Sequence, residues 1–273
     1  MRLIQHPALN NRASVGVFYV ATGEKYINEA IASAQLSKEF NPGLSFAICT
    51  DNPQLALQSS AFDIVITHSQ PKYTYRDKIL GMLKLPFDLT IFLDTDAFII
   101  SDIHSLFLFA SGFDVSACYA PVRHPQNYYP AELSSVPSSF PELNSGVIAL
   151  KRSRSVRRLI NLWLSTYDNL FKDYGQLWDQ ASLRESIWSS ISRHNLKLGI
   201  FPNEYNLRLT KPWIAGRGMP VSIIHGRVSS SEIRELISYL NTNINQFRTW
   251  NEWYSLYPDS SIQLKLPPNP TSL

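Results

Sequence analysis

Leu89-Thr90-Ile91-Phe92-Leu93-Asp94-Thr95-Asp96 is the stretch on which the fold turns. Its apolar run reads as a buried strand, and the strand ends in two carboxylates. Residues i and i+2 of a strand share a face, so Asp94 and Asp96 converge on one point. Two such charges repel unless a cation sits between them. Hard carboxylate oxygens suit Mg²⁺ or Mn²⁺, which keep open positions for phosphate oxygens. The octet therefore points to a metal-assisted site for a nucleotide diphosphate.

Upstream, residues 14–21 (SVGVFYVA) predict a first buried strand. Residues 24–40 carry Ile27, Ala30, Ile31, Ala34 and Leu36 at helical spacing until Asn41-Pro42-Gly43 stops the helix. Further strands over 44–50 and 62–67, and a helix over 75–85 closed by Pro86, lead into the strand at 89–93. This β-α-β order implies an α/β fold with a parallel, doubly wound sheet. Ligands of such sheets bind outside the carboxyl ends of the strands. Ala21-Thr22-Gly23, Thr50-Asp51-Asn52 and the Asp94/Asp96 pair lie at three of those ends.

Downstream, residues 120–143 are rich in Pro, Ser and Tyr and predict a long functional loop. Asn144-Ser145-Gly146 leads into a strand over 147–150. Helices follow over 153–172 and 178–192, with short strands over 197–201 and 221–224. Residues 232–257 read as largely helical, with Ile233, Leu236, Ile237 and Leu240 on one face, before an irregular tail over 266–273. With no repeat and no linker, one domain over 1–273 is expected. It divides into a nucleotide-binding half (14–120), a donor-sugar and acceptor half (121–230), and a C-terminal helix and tail (231–273).

A chain of 273 residues can bury a full core. Its net charge of +3 is too small to argue for nucleic acid. Cys49 and Cys118 read as buried free thiols rather than a disulfide framework. The N-terminus has no continuous apolar core, and no run approaches membrane-spanning length. A cytoplasmic protein is expected, with weak contact to a membrane surface left open. The basic run Lys151, Arg152, Arg154, Arg157 and Arg158 reads as a solvated helix face in preference to a lipid or acceptor contact. Phe247, Trp250, Trp253, Tyr254 and Tyr257 read as core or interface.

The ordered set of Ala21-Thr22, Tyr75-Arg76-Asp77-Lys78, Phe92-Leu93-Asp94-Thr95-Asp96, Leu143-Asn144-Ser145-Gly146-Val147, Trp178-Asp179-Gln180 and Ile224-His225-Gly226 resembles the GT-A-fold glycosyltransferases. The pattern is most similar to the glycogenin and bacterial galactosyltransferase type, which retains anomeric configuration. The resemblance spans roughly residues 14 to 227. It implies a Rossmann-like sandwich with a mostly parallel central sheet flanked by helices. It also implies Mn²⁺ or Mg²⁺ held by Asp94, Asp96 and His225. Tyr19, Ala21, Thr22 and Asp51 would cradle the base and ribose of a nucleotide-diphosphate sugar. Lys78 and Arg76 would reach its phosphates or sugar, and Asn144, Ser145 and Gly146 would line the sugar pocket. Asp179 and Gln180 would lie near the anomeric carbon, with Lys78 assisting. One departure stands out. The family's lysine-proline-tryptophan follows the metal histidine, whereas Lys211-Pro212-Trp213 precedes His225 here. His225-Gly226-Arg227 would then supply the phosphate contacts, with Arg227 in place of the lysine.

An Asp-x-Asp can merely cap a turn, but the ordered partners favour the metal. His225 stands apart from His6, His68, His104, His124 and His194 because a strand precedes it and Gly226 follows. The expected function is transfer of a hexosyl group, from UDP-sugar in the first instance, to a hydroxyl of an unidentified glycan, lipid or protein acceptor. Two alternatives are a non-catalytic sugar- or nucleotide-binding protein on a degenerate scaffold, and a sugar nucleotidyltransferase. The latter usually has a glycine-rich basic loop after the first strand, and Ala21-Thr22-Gly23-Glu24-Lys25 is too short and glycine-poor for one.

Overall fold

A computed structural model describes residues 14–120 and 136–265. Four segments build the first half of a seven-stranded sheet: β1 (Val15–Ala21), β2 (Ser45–Thr50), β3 (Ile64–Thr67) and β4 (Leu89–Leu93). All pair in parallel, with β1 between β2 and β4. Then β7 (Leu143–Lys151) enters antiparallel to β4, with β6 (Val115–Tyr119) and β8 (Leu198–Ile200) completing the order β3-β2-β1-β4-β7-β6-β8. The sheet is mostly parallel, as expected, with β7 the reversed strand.

Alternation along the strands explains the layering. Val17 and Tyr19 of β1, Ile91 and Leu93 of β4, and Val147 of β7 bury on one face with α1 (Glu24–Phe40) and α4 (His104–Ala110). Phe18, Phe92 and Ile148 bury on the other with α3 (Tyr75–Gly81), α5 (Arg154–Tyr174) and α6 (Gln180–His194). Strands apolar on both faces are what a covered parallel sheet requires. Gly81 matters here, because a Cβ added to it would come within 2.6 Å of the Val20 methyls. Its absence lets α3 approach β1 closely, and Lys78 rides on that helix.

Cys49 and Cys118 are free and buried, and burial pushes their thiols up to about 11 and about 12, so both stay protonated and inert near neutral pH. Arg154, Arg157 and Arg158 are exposed on α5, in keeping with a solvated face.

Several local expectations need correction. The helix at 75–85 is α-helical only to Gly81 and then tightens into a 3₁₀ turn, Met82–Lys84. Asn144, Ser145 and Gly146 belong to β7 rather than leading into it. The helix expected over 232–257 is broken. It comprises α7 (Ile233–Thr242), the short strand β12 (Arg248–Thr249) and α8 (Trp250–Leu256). The small strands β5 (Ala97–Ile99), β9 (Leu207–Arg208) and β10 (Ile214–Ala215), the helix α4, and the short α2 (Pro53–Gln58) fill gaps in the reading. β11 (Ile223–His225) pairs antiparallel with β5 and parallel with β9. The greater part of the 120–143 loop and the 266–273 tail lie outside the described residues.

The break at 243–249 is set by Arg248. Its guanidinium is buried, and it donates to the carbonyls of Leu240 (2.9 Å), Gln246 (2.9 Å), Met219 (2.7 Å) and Gly216. One side chain thus closes two loops whose carbonyls the local backbone leaves unpaired. Arg248→Met keeps the stem and removes the donors. It is expected to cost about 3 kcal/mol, read as a lower urea midpoint at unchanged slope. Arg248→Lys should recover only part, because an ammonium lacks the planar fork. An unchanged midpoint in Arg248→Met would show that water serves those carbonyls equally well.

Candidate active site

The turn after β4 carries Asp94 and Asp96 and feeds β5, so the carboxylates sit where the sheet hands the chain to a second, smaller one. In that smaller sheet His225 pairs with Ala97, which sets the imidazole beside Asp96. Asp94 N–H donates to Gly146 O (2.7 Å), and Gly226 N–H to Asp96 O (2.9 Å), so β7 and β11 clamp the turn from both sides. His225 Nε2 lies 3.7 Å from Asp94 Oδ2 and 3.5 Å from Asp96 Oδ1. One ligand atom from each of the three falls within 4.8 Å of the others. Adjacent ligands on a small divalent ion sit about 3 Å apart, given bonds of about 2.1 Å. The donor set, two carboxylates and an imidazole, therefore fits Mn²⁺ or Mg²⁺ with slight contraction.

Hydrogen bonding gives a second reason for that fit. Gly146 N–H donates to Asn144 Oδ1 (3.0 Å), which also accepts from Asn206 Nδ2 (2.9 Å). Asn206 must therefore turn Oδ1 towards His225 Nδ1, 3.0 Å away. A carboxamide oxygen only accepts, so Nδ1 carries the proton and Nε2 offers its lone pair to the carboxylate side. That is the tautomer of a metal ligand. The same chain of amides runs the other way, from Asn144 Nδ2 to Gln180 Oε1 (2.7 Å) and from Gln180 Nε2 to Glu142 Oε1 (2.7 Å). A backbone donor and a carboxylate acceptor thus fix the polarity of every member.

Below this cluster lies Lys78. Its ammonium ion-pairs with Asp94 (2.8 Å) and Asp179 (3.1 Å) and donates to Ser145 Oγ (3.0 Å). Burial works against its charge, but Asp179 and Asp94 outweigh burial and raise its pKa above the ordinary lysine range. Burial likewise opposes the charge on Asp96, yet a proton on His225 Nε2, where no cation takes its place, together with Arg227 and Arg208 holds that carboxyl well below its usual range. Asp94 is pushed upward, burial prevailing over Lys78 and His225.

These residues line a cavity of about 660 Å³ at the carboxyl ends of β1 and β4. Ala21, Thr22, Tyr26 and Tyr73 contribute to its wall, as do Asn144, Ser145, Trp178, Asp179 and Gln180. Gly226 and Arg227 also line it. Gly146 stands behind the wall, where an added Cβ would lie 2.0 Å from His225 Cε1.

Three expected residues are placed elsewhere. Tyr19 is fully buried, its hydroxyl bonded to Ser33 Oγ (2.9 Å). Asp51 accepts from Gly23 N–H (3.0 Å) and Tyr73 O–H (3.2 Å), so it braces the wall from outside. Arg76 pairs with Asp168 on α5 (2.8 Å), because a residue two positions from Lys78 points to the opposite side of the helix. Arg227 lines the cavity, but Glu29 holds it in a two-pronged contact (3.0 and 3.2 Å). Sequence reasoning missed Asn206, Arg208 and Glu142. Each matters only through pairings far along the chain, and none carries a local motif.

No protein-family model matches the chain, and no curated protein matches its sequence. Among solved structures, the galactosyltransferase LgtC in complex with donor and acceptor sugar analogs superposes with a TM-score of 0.53. The identity is 13%, over 82% of this chain and 96% of that one. An active-site mutant of LgtC gives a TM-score of 0.49 at 12% identity, over 78% and 88% of the two chains. The chain has the GT-A glycosyltransferase fold.

Two variants separate the supports of this cluster. Asn206→Ala removes the acceptor on His225 Nδ1 and should weaken Mn²⁺ binding by about 10- to 100-fold, measured by electron paramagnetic resonance of the free ion. Gly146→Ala forces His225 aside and should abolish binding. Wild-type Mn²⁺ affinity in both would contradict this account of how the cluster is held.

Proposed function

We propose that this protein is a metal-dependent glycosyltransferase that moves a hexosyl group from a UDP-sugar to an acceptor hydroxyl with retention of configuration. The observation that carries the reading is the Asp94/Asp96/His225 cluster opening into a cavity at the carboxyl edge of a GT-A-fold sheet. Asp94, Asp96 and His225 would hold Mn²⁺ or Mg²⁺, which would supply Lewis-acid stabilisation of a leaving diphosphate. In the reaction, the acceptor oxygen bonds to the anomeric carbon as the bond to the diphosphate breaks. The electron pair leaves with the diphosphate.

The chain's own groups divide the remaining work. Ala21, Thr22, Tyr26 and Tyr73 bound the space for base and ribose. The carboxamides of Asn144 and Gln180, locked in polarity by Gly146 N–H and Glu142, present fixed donors and acceptors to sugar hydroxyls. Trp178, 40% exposed on the cavity wall, offers an apolar face to a sugar ring. Lys78 fixes Asp179 by an ion pair (3.1 Å), and the Asp179 carboxylate on the cavity wall would face the positive charge that develops on the sugar.

Retention draws support from the carboxylates. Among the described lining residues they are Asp94, Asp96 and Asp179. The first two belong to the cation cluster and the third is paired with Lys78. An inverting route needs a carboxylate base on the far face of the sugar, whereas a retaining route lets a leaving diphosphate oxygen take the acceptor's proton. The nucleotidyltransferase alternative is disfavoured, because only Thr22 and Gly23 separate β1 from α1. A cytoplasmic setting fits the two free, buried thiols. Among the described residues no helix is long and apolar enough to cross a membrane.

Incubation with a panel of UDP-sugars should give slow hydrolysis that requires Mn²⁺ or Mg²⁺. The hexose should appear first as the donor's own anomer, read by proton NMR. Asp96→Asn should lower the rate at least a hundredfold with folding intact. Nucleotide binding without hydrolysis of any UDP- or GDP-sugar would favour the non-catalytic alternative.

A further inference from the structure

The cavity holds more positive charge than its carboxylates use. Lys78 is committed to ion pairs with Asp94 and Asp179 and to a hydrogen bond on Ser145. Arg227 is half exposed and committed to Glu29. Arg208 is different. It lines the cavity, it has no carboxylate within 4.0 Å among the described residues, and its Nε is sealed from solvent with no hydrogen-bond partner. A guanidinium whose Nε is sealed from water without an acceptor carries a cost.

Its placement gives that cost a use. Arg208 on β9 is the register partner of His225 on β11, so the two side chains stand next to each other on parallel strands. The chain then turns, with Lys211 N–H donating to Arg208 O (3.1 Å), and the buried Lys211 joins the same wall. Lys211 Nζ donates to the carbonyl of Lys265, which tethers it to the C-terminal segment. Burial, with Arg208 and Lys265 close by, drags the Lys211 ammonium down to about 8. An anion between Arg208 and Lys211 would face both positive charges at once.

We infer that Arg208 and Lys211 form the clamp for the donor's diphosphate, taking the place that the sequence order alone would give to Arg227. The clamp rests on the glycosyltransferase reading of this cavity and specifies how it is charged. A guanidinium presents paired N–H donors that match phosphate oxygens, and an ammonium adds a point charge beside them. Both would gain strength as the anomeric bond breaks and charge builds on the diphosphate. The pair arises from a turn upstream of the metal histidine, so a strand pairing rather than a contiguous motif delivers it.

The test is calorimetric titration of the full chain with uridine, UDP and inorganic pyrophosphate, each with Mn²⁺ present. Arg208→Gln should lose at least tenfold in affinity for UDP and pyrophosphate, with uridine within twofold of wild type. Arg208→Lys should fall between, and Lys211→Gln should repeat the pattern more weakly. If Arg208→Gln does not fold, the Lys substitution and Lys211→Gln carry the test. Equal UDP affinity in these variants and wild type overturns the clamp. Wild type that binds pyrophosphate through Arg208 but no nucleoside diphosphate would keep the clamp and remove the nucleotide reading. Wild type that binds neither would remove both.

Discussion

One buried ammonium holds the site together. Lys78 stands between Asp94 and Asp179, carboxylates from two distant parts of the chain, and also reaches Ser145. Without it, two shielded negative charges would face each other with only a half-neutralised neighbour at Asp96. Removing one partner of a buried ion pair costs about 3–5 kcal/mol, because the other is left uncompensated. The close approach of α3 to β1, permitted by Gly81, delivers this lysine to its place. Asp179 occupies the N-terminal end of α6, so the same ion pair ties α3, β4, β7 and α6 to one point.

Around that point the charges are graded. Deepest lies the Lys78 pair, then the Asp94/Asp96/His225 cluster, then Arg208 beside it. A low-dielectric cavity built this way favours a ligand carrying both bound cation and negative charge over either alone. The amide chain from Glu142 through Gln180, Asn144 and Asn206 to His225 adds a directional constraint. It couples the cavity-lining carboxamides of Asn144 and Gln180 to the imidazole of His225, so none of them can flip independently. Such a network is rigid when every member is satisfied and costly when one is not.

The legible part of the fold was the part encoded locally. The strands β1, β2 and β4 announce themselves by unbroken apolar runs, α1 by its spacing and its Asn41-Pro42-Gly43 stop, and the Asp94/Asp96 pair by its place after β4. β5, β9, β10 and β12 span two or three residues each, too few for any period to emerge. Residues 232–257 keep a helical apolar pattern, yet the buried demands of Arg248 override it. Tyr19 and Arg76 show the limits of motif transfer. Tyr19 shares its face with the core rather than the cavity, and Arg76 lies across the helix from Lys78. Arg208 and Asn206 became visible only once β9 was seen beside β11.

The most direct test of the central claim is anomalous diffraction at the manganese edge from crystals grown with Mn²⁺ and UDP. One strong peak bounded by Asp94, Asp96 and His225 Nε2 is expected, with the diphosphate on its open side. A peak elsewhere, or none at saturating Mn²⁺, would contradict that claim.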